Sequence, residues 1–404
     1  MNKKIFIFVS LVLIVTLGSL SSRVFAEQGR FIQDIFAIGF WVDPPADENM
    51  DRYYADITAA NFTMVIGGFG ARTPQTVQQQ IELCKKYGLK AIISRAGLPP
   101  AQLPNSPAVW GYTIKDEPHA KEFPGLRAIV DDIRKARPGK LSYINLFPNI
   151  ASERTLGTKT YDEHVRRFVE EVDVDVLSMD HYPHMRPHSD TRAKYCSNLA
   201  VMRKYSLQRN IPFWNFFNTM PFGAHYDPTE AQLRWQIYTS IAYGAKGVMY
   251  YCYWTPRGSK FPAIITTEGS KTRHYAQAQR INHSIKNLGP TLMKLTSTAV
   301  YRITPDDDPC MILKDTPVTS LTSGDYLVGV FKHADGRRAL LLNNYSFAYT
   351  AWPTVKFDVP LEHLREVCQN TGKEIPILDD SPAMEGLQIS LDSGSGRLFL
   401  LPPK

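Results

Sequence analysis

The segment Trp110-Gly111-Tyr112-Thr113-Ile114-Lys115-Asp116-Glu117-Pro118 decides how the rest of the chain is read. It starts as an apolar strand and stops on two adjacent acids. The proline that follows has no N–H to give a sheet ladder. Neighbouring strand side chains point to opposite faces, so one acid is expected at the strand's open end and the other in the turn. Carboxylates are costly to bury unless paired or hydrogen-bonded. An acid at the carboxyl end of a buried parallel strand stands where α/β proteins place their chemistry.

Outward from this segment the same pattern repeats. Apolar runs over 36–43, 62–69, 90–95, 109–117, 141–147, 174–182, 211–218 and 247–254 alternate with amphipathic stretches. The runs are nearly continuous, as in strands covered on both faces. Thr73-Pro74 opens a helix and Gly88 ends it. Helices are also predicted over 162–171 and 191–208, from Asp227-Pro228 to Tyr243, and from Lys271 to Leu288 with a stop at Gly289-Pro290. The proline-rich crossover over 99–107 predicts no full helix. Eight βα units in roughly 250 residues predict a (β/α)8 barrel.

After Pro290 the pattern changes to short strands over 299–303, 326–332, 339–344, 354–359, 364–368, 387–391 and 397–401. Turn signals such as Ala334-Asp335-Gly336 separate them. This predicts a C-terminal antiparallel β-sandwich over 291–404, with the barrel over 27–290. Residues 1–26 read as a cleaved secretory signal: Lys3 and Lys4, an apolar run, then Val24-Phe25-Ala26. The expectation is a secreted or periplasmic protein with no membrane span. Removing Lys3, Lys4 and Arg23 lowers the formal charge from +7 to +4. No basic stripe remains, so nucleic acid is not indicated. The five cysteines form no CxxC pair, and no metal spacing appears. Cys310 and Cys368 fall in one region, which permits a pair.

The ends of the predicted strands supply the candidate site. Strand one gives Trp41 and Asp43, a ring for sugar stacking and an acid for hydroxyls, or a rim aromatic and a loop cap. Strand four gives Asp116 and Glu117, and strand five Asn145 and Asn149. Strand six ends Asp180-His181-Tyr182-Pro183, where His181 has the chemistry to pair with a carboxylate. Strand seven holds Asn215 and Asn218 and no acid. Strand eight ends on Trp254, and Glu268 reads as a turn residue. Phosphate-loop, zinc-protease and serine-hydrolase motifs are absent, and Gly67-Gly68-Phe69-Gly70 lacks dinucleotide spacing.

Four stretches together carry a resemblance: WGYTIKDEP (110–118), LSMDHYP (177–183), AQLRWQIYTSIAYGAKGVMYYCYW (231–254) and TTEGSKTRHYAQAQRINHSIKNLGPTL (266–292). They resemble glycoside hydrolase clan A barrels, in particular family 42 β-galactosidase-like exported hydrolases, over about residues 35 to 295. The resemblance implies a carbohydrate substrate, carboxylate chemistry and no cofactor. Asp116-Glu117-Pro118 is similar to the clan's Asn-Glu-Pro motif, which gives Glu117 the role of general acid. The clan's nucleophile is a Glu at the end of strand seven, where this chain has Asn215 and Asn218. Asp180 is then the expected second carboxylate, acting as nucleophile, as base, or as the group that orients a nucleophile within the substrate. Asp116, Trp41, Asp43, His181, Tyr182, Asn215, Asn218 and Trp254 are expected to shape the sugar site. The alternative is a carbohydrate-binding barrel that has lost catalysis with the strand-seven acid.

Overall fold

The computed structural model describes residues 29–186, 189–379 and 383–404. The expected signal segment lies outside the described residues. Eight strands form one parallel sheet: β1 (Ala37–Phe40), β2 (Met64–Ile66), β3 (Lys90–Ile93), β4 (Val109–Asp116), β5 (Leu141–Leu146), β6 (Leu177–Asp180), β7 (Phe213–Asn218) and β8 (Gly247–Tyr251). They follow one another in order, and β8 pairs in parallel with β1. The remaining seam lies between β1 and β2. There the Thr63 N–H donates to the Ile38 carbonyl at 2.9 Å. The Thr63 hydroxyl accepts from the Ile38 N–H at 2.8 Å. A side-chain hydroxyl fills a ladder position, and the sheet closes into a barrel.

The lumen is packed with large side chains, among them Met64, Trp110, Tyr143, Trp214, Phe216 and Met249. The Trp110 and Trp214 rings stack at 6.0 Å between centroids. Their bulk sets a condition on β8, because a Cβ on Gly247 would stand 2.5 Å from the Trp214 ring. The opposite faces of the strands pack on the surrounding helices in a second apolar layer.

Helix ends follow local chemistry. Pro74–Tyr87 starts on a Thr73 capping box and stops at Gly88, whose φ is 68°. The helix expected from Asp227 begins instead at Glu230, because Thr229 accepts the Gln232 N–H and caps it. Asp227 is used elsewhere, accepting from His274 Nε2 at 2.7 Å and from Arg273 at 2.6 Å. The last barrel helix, Arg273–Leu292, runs through Gly289-Pro290 instead of stopping there. Pro290 sits in the final turn, where its missing N–H removes only one ladder bond. The crossover after β3 holds a single 3-10 turn, Pro100–Gln102.

Beyond the barrel, Leu295–Ile303, Tyr326–His333, Arg338–Asn344, Gly396–Leu401, Arg365–Val367 and Glu374–Pro376 form a six-stranded sheet. Val318–Leu321, Thr354–Phe357 and Leu387–Gln388 form a smaller one facing it. Two strands of these C-terminal sheets escaped the sequence reading: Val318–Leu321 is short and hydroxyl-rich, and Glu374–Pro376 is an exposed edge that ends on proline. Val328, Leu340 and Phe399 fill the space between the sheets. Leu327, Leu341 and Leu398, on the other face of the large sheet, join the barrel's outer layer. Asn343 Nδ2 also donates to the Tyr238 carbonyl at 2.9 Å. All five cysteines, Cys310 and Cys368 included, are free. Among the described residues no helix is long and apolar enough to cross a membrane.

Removing the lumen's largest side chain tests this packing. Trp214→Ala is expected to cost about 3–5 kcal/mol of stability, read as a lowered urea midpoint.

Candidate active site

At the carboxyl end of the barrel, Trp41, Asp116, Glu117, Asn145, Asp180 and Tyr182 line a cleft of about 250 Å³, closed by Phe216, Phe222 and Tyr251. Two irregularities of β4 bring the acids there. Its register shifts once against β3 and again against β5, between Thr113 and Lys115. The second shift sets Asp116 opposite Asn145, which shares the lumen-facing parity of Tyr143. Glu117 then turns left-handed, with a φ of 47°. Its N–H still donates to the Asn145 carbonyl at 2.8 Å. Strict alternation would have sent the two acids to opposite faces. The left-handed residue breaks that rule, so both line the cleft, and the expected division into one cleft acid and one turn brace does not hold.

Asn145 organises the acids. The Tyr143 and Ser178 hydroxyls lie 3.0 Å apart, and Ser178 Oγ donates to Asn145 Oδ1 at 2.9 Å. With its oxygen taken, Asn145 directs its NH2 at Asp180, at 3.1 Å, and at Asp116, at 3.3 Å. Asp180 is buried. Burial, then the charges of Glu117 and Asp116, hold its pKa well above the carboxylate range, against the hydrogen bonds from Asn145 and Tyr182. Glu117 is half-buried, and burial plus the Asp116 charge raise it to about 7. The pKa of Asp116 is raised too, by burial of its carboxyl, although much of the residue faces solvent. The wall is aromatic. Tyr182 lies 5.0 Å from Tyr251 and 5.2 Å from Phe222, and Trp41 meets Phe216 edge-on at 5.7 Å. No Lys, Arg or His side chain lines this cleft among the described residues.

Other expected site residues stand elsewhere. Asp43 is buried and accepts the N–H groups of Phe69, Gly70 and Ala71 at 2.8, 2.9 and 3.0 Å. It pins the loop after β2 and has no oxygen to offer a sugar. His181 faces the helix layer, with Nδ1 3.0 Å from Asn198 Oδ1. Asn215 also faces the helices, donating to Tyr195 Oη at 2.6 Å and to Ser240 Oγ at 2.9 Å. Asn218 shares the lumen-facing parity of Phe216 but is fully buried and does not line the cleft. Trp254 packs edge-on against Tyr53 at 4.8 Å and is a rim residue. Glu268 is exposed in its turn and hydrogen-bonds Thr267. Phe216 and Tyr251 escaped the sequence reading, yet the parity of Trp214 and Met249 points to both. Asn145 was noted at a strand end without its bridging role. Phe222 comes from a loop and carried no signal. No group of three or more His, Cys, Asp or Glu among the described residues is arranged to hold a metal ion.

Residues 129–288 match the glycoside hydrolase family 42 profile, described as β-galactosidase. A family 42 β-galactosidase of G. stearothermophilus, solved as a catalytic mutant, superposes with a TM-score of 0.60 at 8% identity, covering 91% of this chain and 98% of that one. Two further β-galactosidases are similar. That of the haloarchaeon Halorubrum lacusprofundi has a TM-score of 0.49 at 14% identity, covering 63% of this chain and 59% of its own. That of Marinomonas ef1 has a TM-score of 0.42 at 12% identity, covering 62% of this chain and 60% of its own. The chain thus spans about three fifths of the length of these last two. No curated protein matches it in sequence. The fold is that of the G. stearothermophilus enzyme, and the second half of the barrel is similar in sequence to family 42.

The electrostatics of the cleft can be read directly. The Glu117 carboxyl should titrate near 7 in carbon-detected NMR, and Asp116→Asn should lower that value by removing a like charge. A carboxyl raised in the fold binds its proton more tightly there than in the unfolded chain. Its cost to stability is therefore absent well below 4.5 and grows as pH rises towards about 7. Glu117→Gln should gain stability over wild type on going from about pH 5 to about pH 8, in paired denaturant melts.

Proposed function

We propose that this protein is an exported glycoside hydrolase that cleaves O-glycosidic bonds of oligo- or polysaccharides, with Glu117 as general acid. One observation carries the reading. A glutamic acid at the end of β4, its pKa raised to about 7 by burial and the Asp116 charge, stands inside an aromatic-walled cleft that holds a second, buried carboxyl. A leaving glycosidic oxygen needs a proton donor whose pKa lies near the working pH. Trp41 and Tyr182 offer faces on which sugar C–H groups pack. The family 42 match makes β-galactosides the first substrates to try.

Asp180 is the proposed second carboxylate. It shares the Asn145 amide with Asp116 and lies close enough to Glu117 for their charges to repel. In the free protein its environment favours the proton. A sugar ring gaining positive charge in the transition state favours the carboxylate instead. Tyr182 and Asn145 then stabilise that anion by hydrogen bonding. Asp116 tunes both neighbours through its charge. The lack of an acid on β7 favours a second reading, a barrel that binds carbohydrate without cleaving it.

Glu117→Gln should retain binding and lose about 10²–10⁴-fold in kcat on an unactivated glycoside. In wild type kcat/KM should fall as pH rises through about 7, because the acid must carry its proton. Full activity in the variant would remove Glu117 from the reaction. Asp180→Asn should abolish turnover without unfolding the barrel, whereas Asp116→Asn should mainly displace the pH profile. Saccharide binding with no turnover by wild type on any glycoside would establish the binding-only reading.

A further inference from the structure

Beside the acid cleft lies a pocket of opposite character, about 450 Å³, lined by Arg72, Ser94, Arg95 and Thr113 and by the Ala96-Gly97 backbone. It opens above the short ends of β2 and β3. The chain leaving β3 curves through two successive left-handed residues, Ala96 at a φ of 49° and Gly97 at 77°. The Ser94 hydroxyl accepts the Ala96 N–H at 3.1 Å and holds that curve. Arg95 is half-buried, and its guanidinium has no carboxylate or hydrogen-bond partner among the described residues. Arg72 is oriented by one bond, from Nε to the Phe69 carbonyl at 2.6 Å, and it too has no acid partner among the described residues.

Two unpaired guanidiniums at one concave site are unusual where three carboxyls stand nearby. Had they served to neutralise the cleft, they would meet its acids. No arginine contributes to the environment of Glu117 or of Asp180. The two charge sets are held apart, each with its own space.

They are nonetheless linked along the barrel mouth. Thr113 precedes Asp116 on β4 by roughly 10 Å of strand. The loop carrying Arg72 is pinned by Asp43, and its Phe69 packs edge-on against Trp41 at 5.1 Å, on the cleft wall. The arginine pocket and the acid cleft are thus joined through β4 and through the Phe69–Trp41 contact.

We infer that this pocket is an anion-binding subsite, and that the substrate is an acidic saccharide carrying a carboxylate or sulfate on a sugar next to the one in the acid cleft. This rests on the glycosidase reading and narrows its substrate class. Planar guanidiniums pair with carboxylate and sulfate oxygens through two parallel N–H bonds, and the Ser94 hydroxyl, which only accepts within the loop, supplies a further donor. The arrangement also gives Asp43 a purpose, since pinning the Phe69–Ala71 amides fixes the position of Arg72.

The test uses three galactose-based trisaccharides that are neutral, carry a 6-carboxylate, or carry a 6-O-sulfate. Binding is measured by calorimetry on the inert Glu117→Gln protein, and kcat/KM on wild type. At least one acidic trisaccharide is expected to bind and react about tenfold or more better than the neutral one, and the better of the two identifies the anion. Arg95→Gln should reduce the acidic-to-neutral ratio by a similar factor, and Arg95→Lys should recover part of it. Arg72→Gln, at an exposed position, gives the same reading should Arg95→Gln fail to fold. Equal affinities in the Glu117→Gln protein with both arginines intact, or an unchanged ratio in both arginine variants, would overturn the subsite. Cleavage of the neutral sugar with no acidic preference sinks the subsite and keeps the hydrolase. Tight acidic binding without turnover by wild type keeps the subsite and sinks the hydrolase.

Discussion

One backbone irregularity decides what this barrel presents at its mouth, the left-handed turn at Glu117. A non-glycine residue in that region costs about 1–2 kcal/mol. The cost is offset by the bond from its N–H to the Asn145 carbonyl, which keeps the residue attached to β5 as the chain leaves the sheet. The register shift between Thr113 and Lys115 acts with it, bringing Asp116 level with Asn145. Without both, one acid of the pair would point away from the lumen, towards the outer layer. Pro118 then denies the ladder any further N–H and ends the strand. The cleft is built on the last two residues of one strand, and its other groups are arranged around them.

Those groups leave the acids short of compensation. Asp116, Glu117 and Asp180 share a small volume with aromatic rings and no cation among the lining side chains. Like charges so placed cannot all ionise, and the protons belong to the cluster rather than to one residue. The Asn145 amide, fixed by Ser178, is the main local stabiliser of negative charge. It reaches Asp116 and Asp180 but makes no bond to Glu117. Glu117 accordingly keeps the proton most readily given to a ligand, which suits a group that protonates a leaving oxygen. The arrangement costs stability at neutral pH, a familiar trade at sites where reactivity is held ready.

The barrel itself was legible because its strands are covered on both faces, and the resulting apolar runs are hard to mistake. That continuity also hid which face each polar residue uses. His181 and Asn215 read as rim ligands, yet both satisfy partners on the helix layer, Asn198 in one case and Tyr195 with Ser240 in the other. A lone buried polar residue in a two-sided strand carries no marker of its direction. Asp43 misled for a different reason. Its three acceptor bonds come from backbone amides of a loop some 26 to 28 residues further on, and backbone donors leave no trace in the side-chain pattern. Asp116, Glu117, Asp180, Trp41 and Tyr182 do meet in the cleft, because strand ends converge in a closed barrel whatever the loops do. On β4 the alternation rule failed at the two register shifts and again at Glu117, where the backbone leaves the strand conformation.

The parity of β7 sharpens the question of the second acid. Trp214 and Phe216 face the lumen, so Asn218 shares their side, while Asn215 belongs to the outer face. A carboxylate at position 215 would be enclosed by Tyr195 and Ser240 and could not reach a sugar. Of the two amides, only Asn218 has the parity of a strand-seven acid facing the lumen. There the chain has an amide, fully buried, whose side-chain atoms find no hydrogen-bond partner among the described residues. Its backbone is clamped instead by Gln236, which accepts the Asn218 N–H and donates to the Asn218 carbonyl, both at 3.2 Å. An ionised acid at that buried position would add a fourth carboxyl to a barrel end already short of counter-charge. An amide there avoids that burden. The carboxyl that the cleft does hold stands one strand earlier, at Asp180, where burial and the neighbouring acids favour its proton and the Asn145 and Tyr182 hydrogen bonds oppose them.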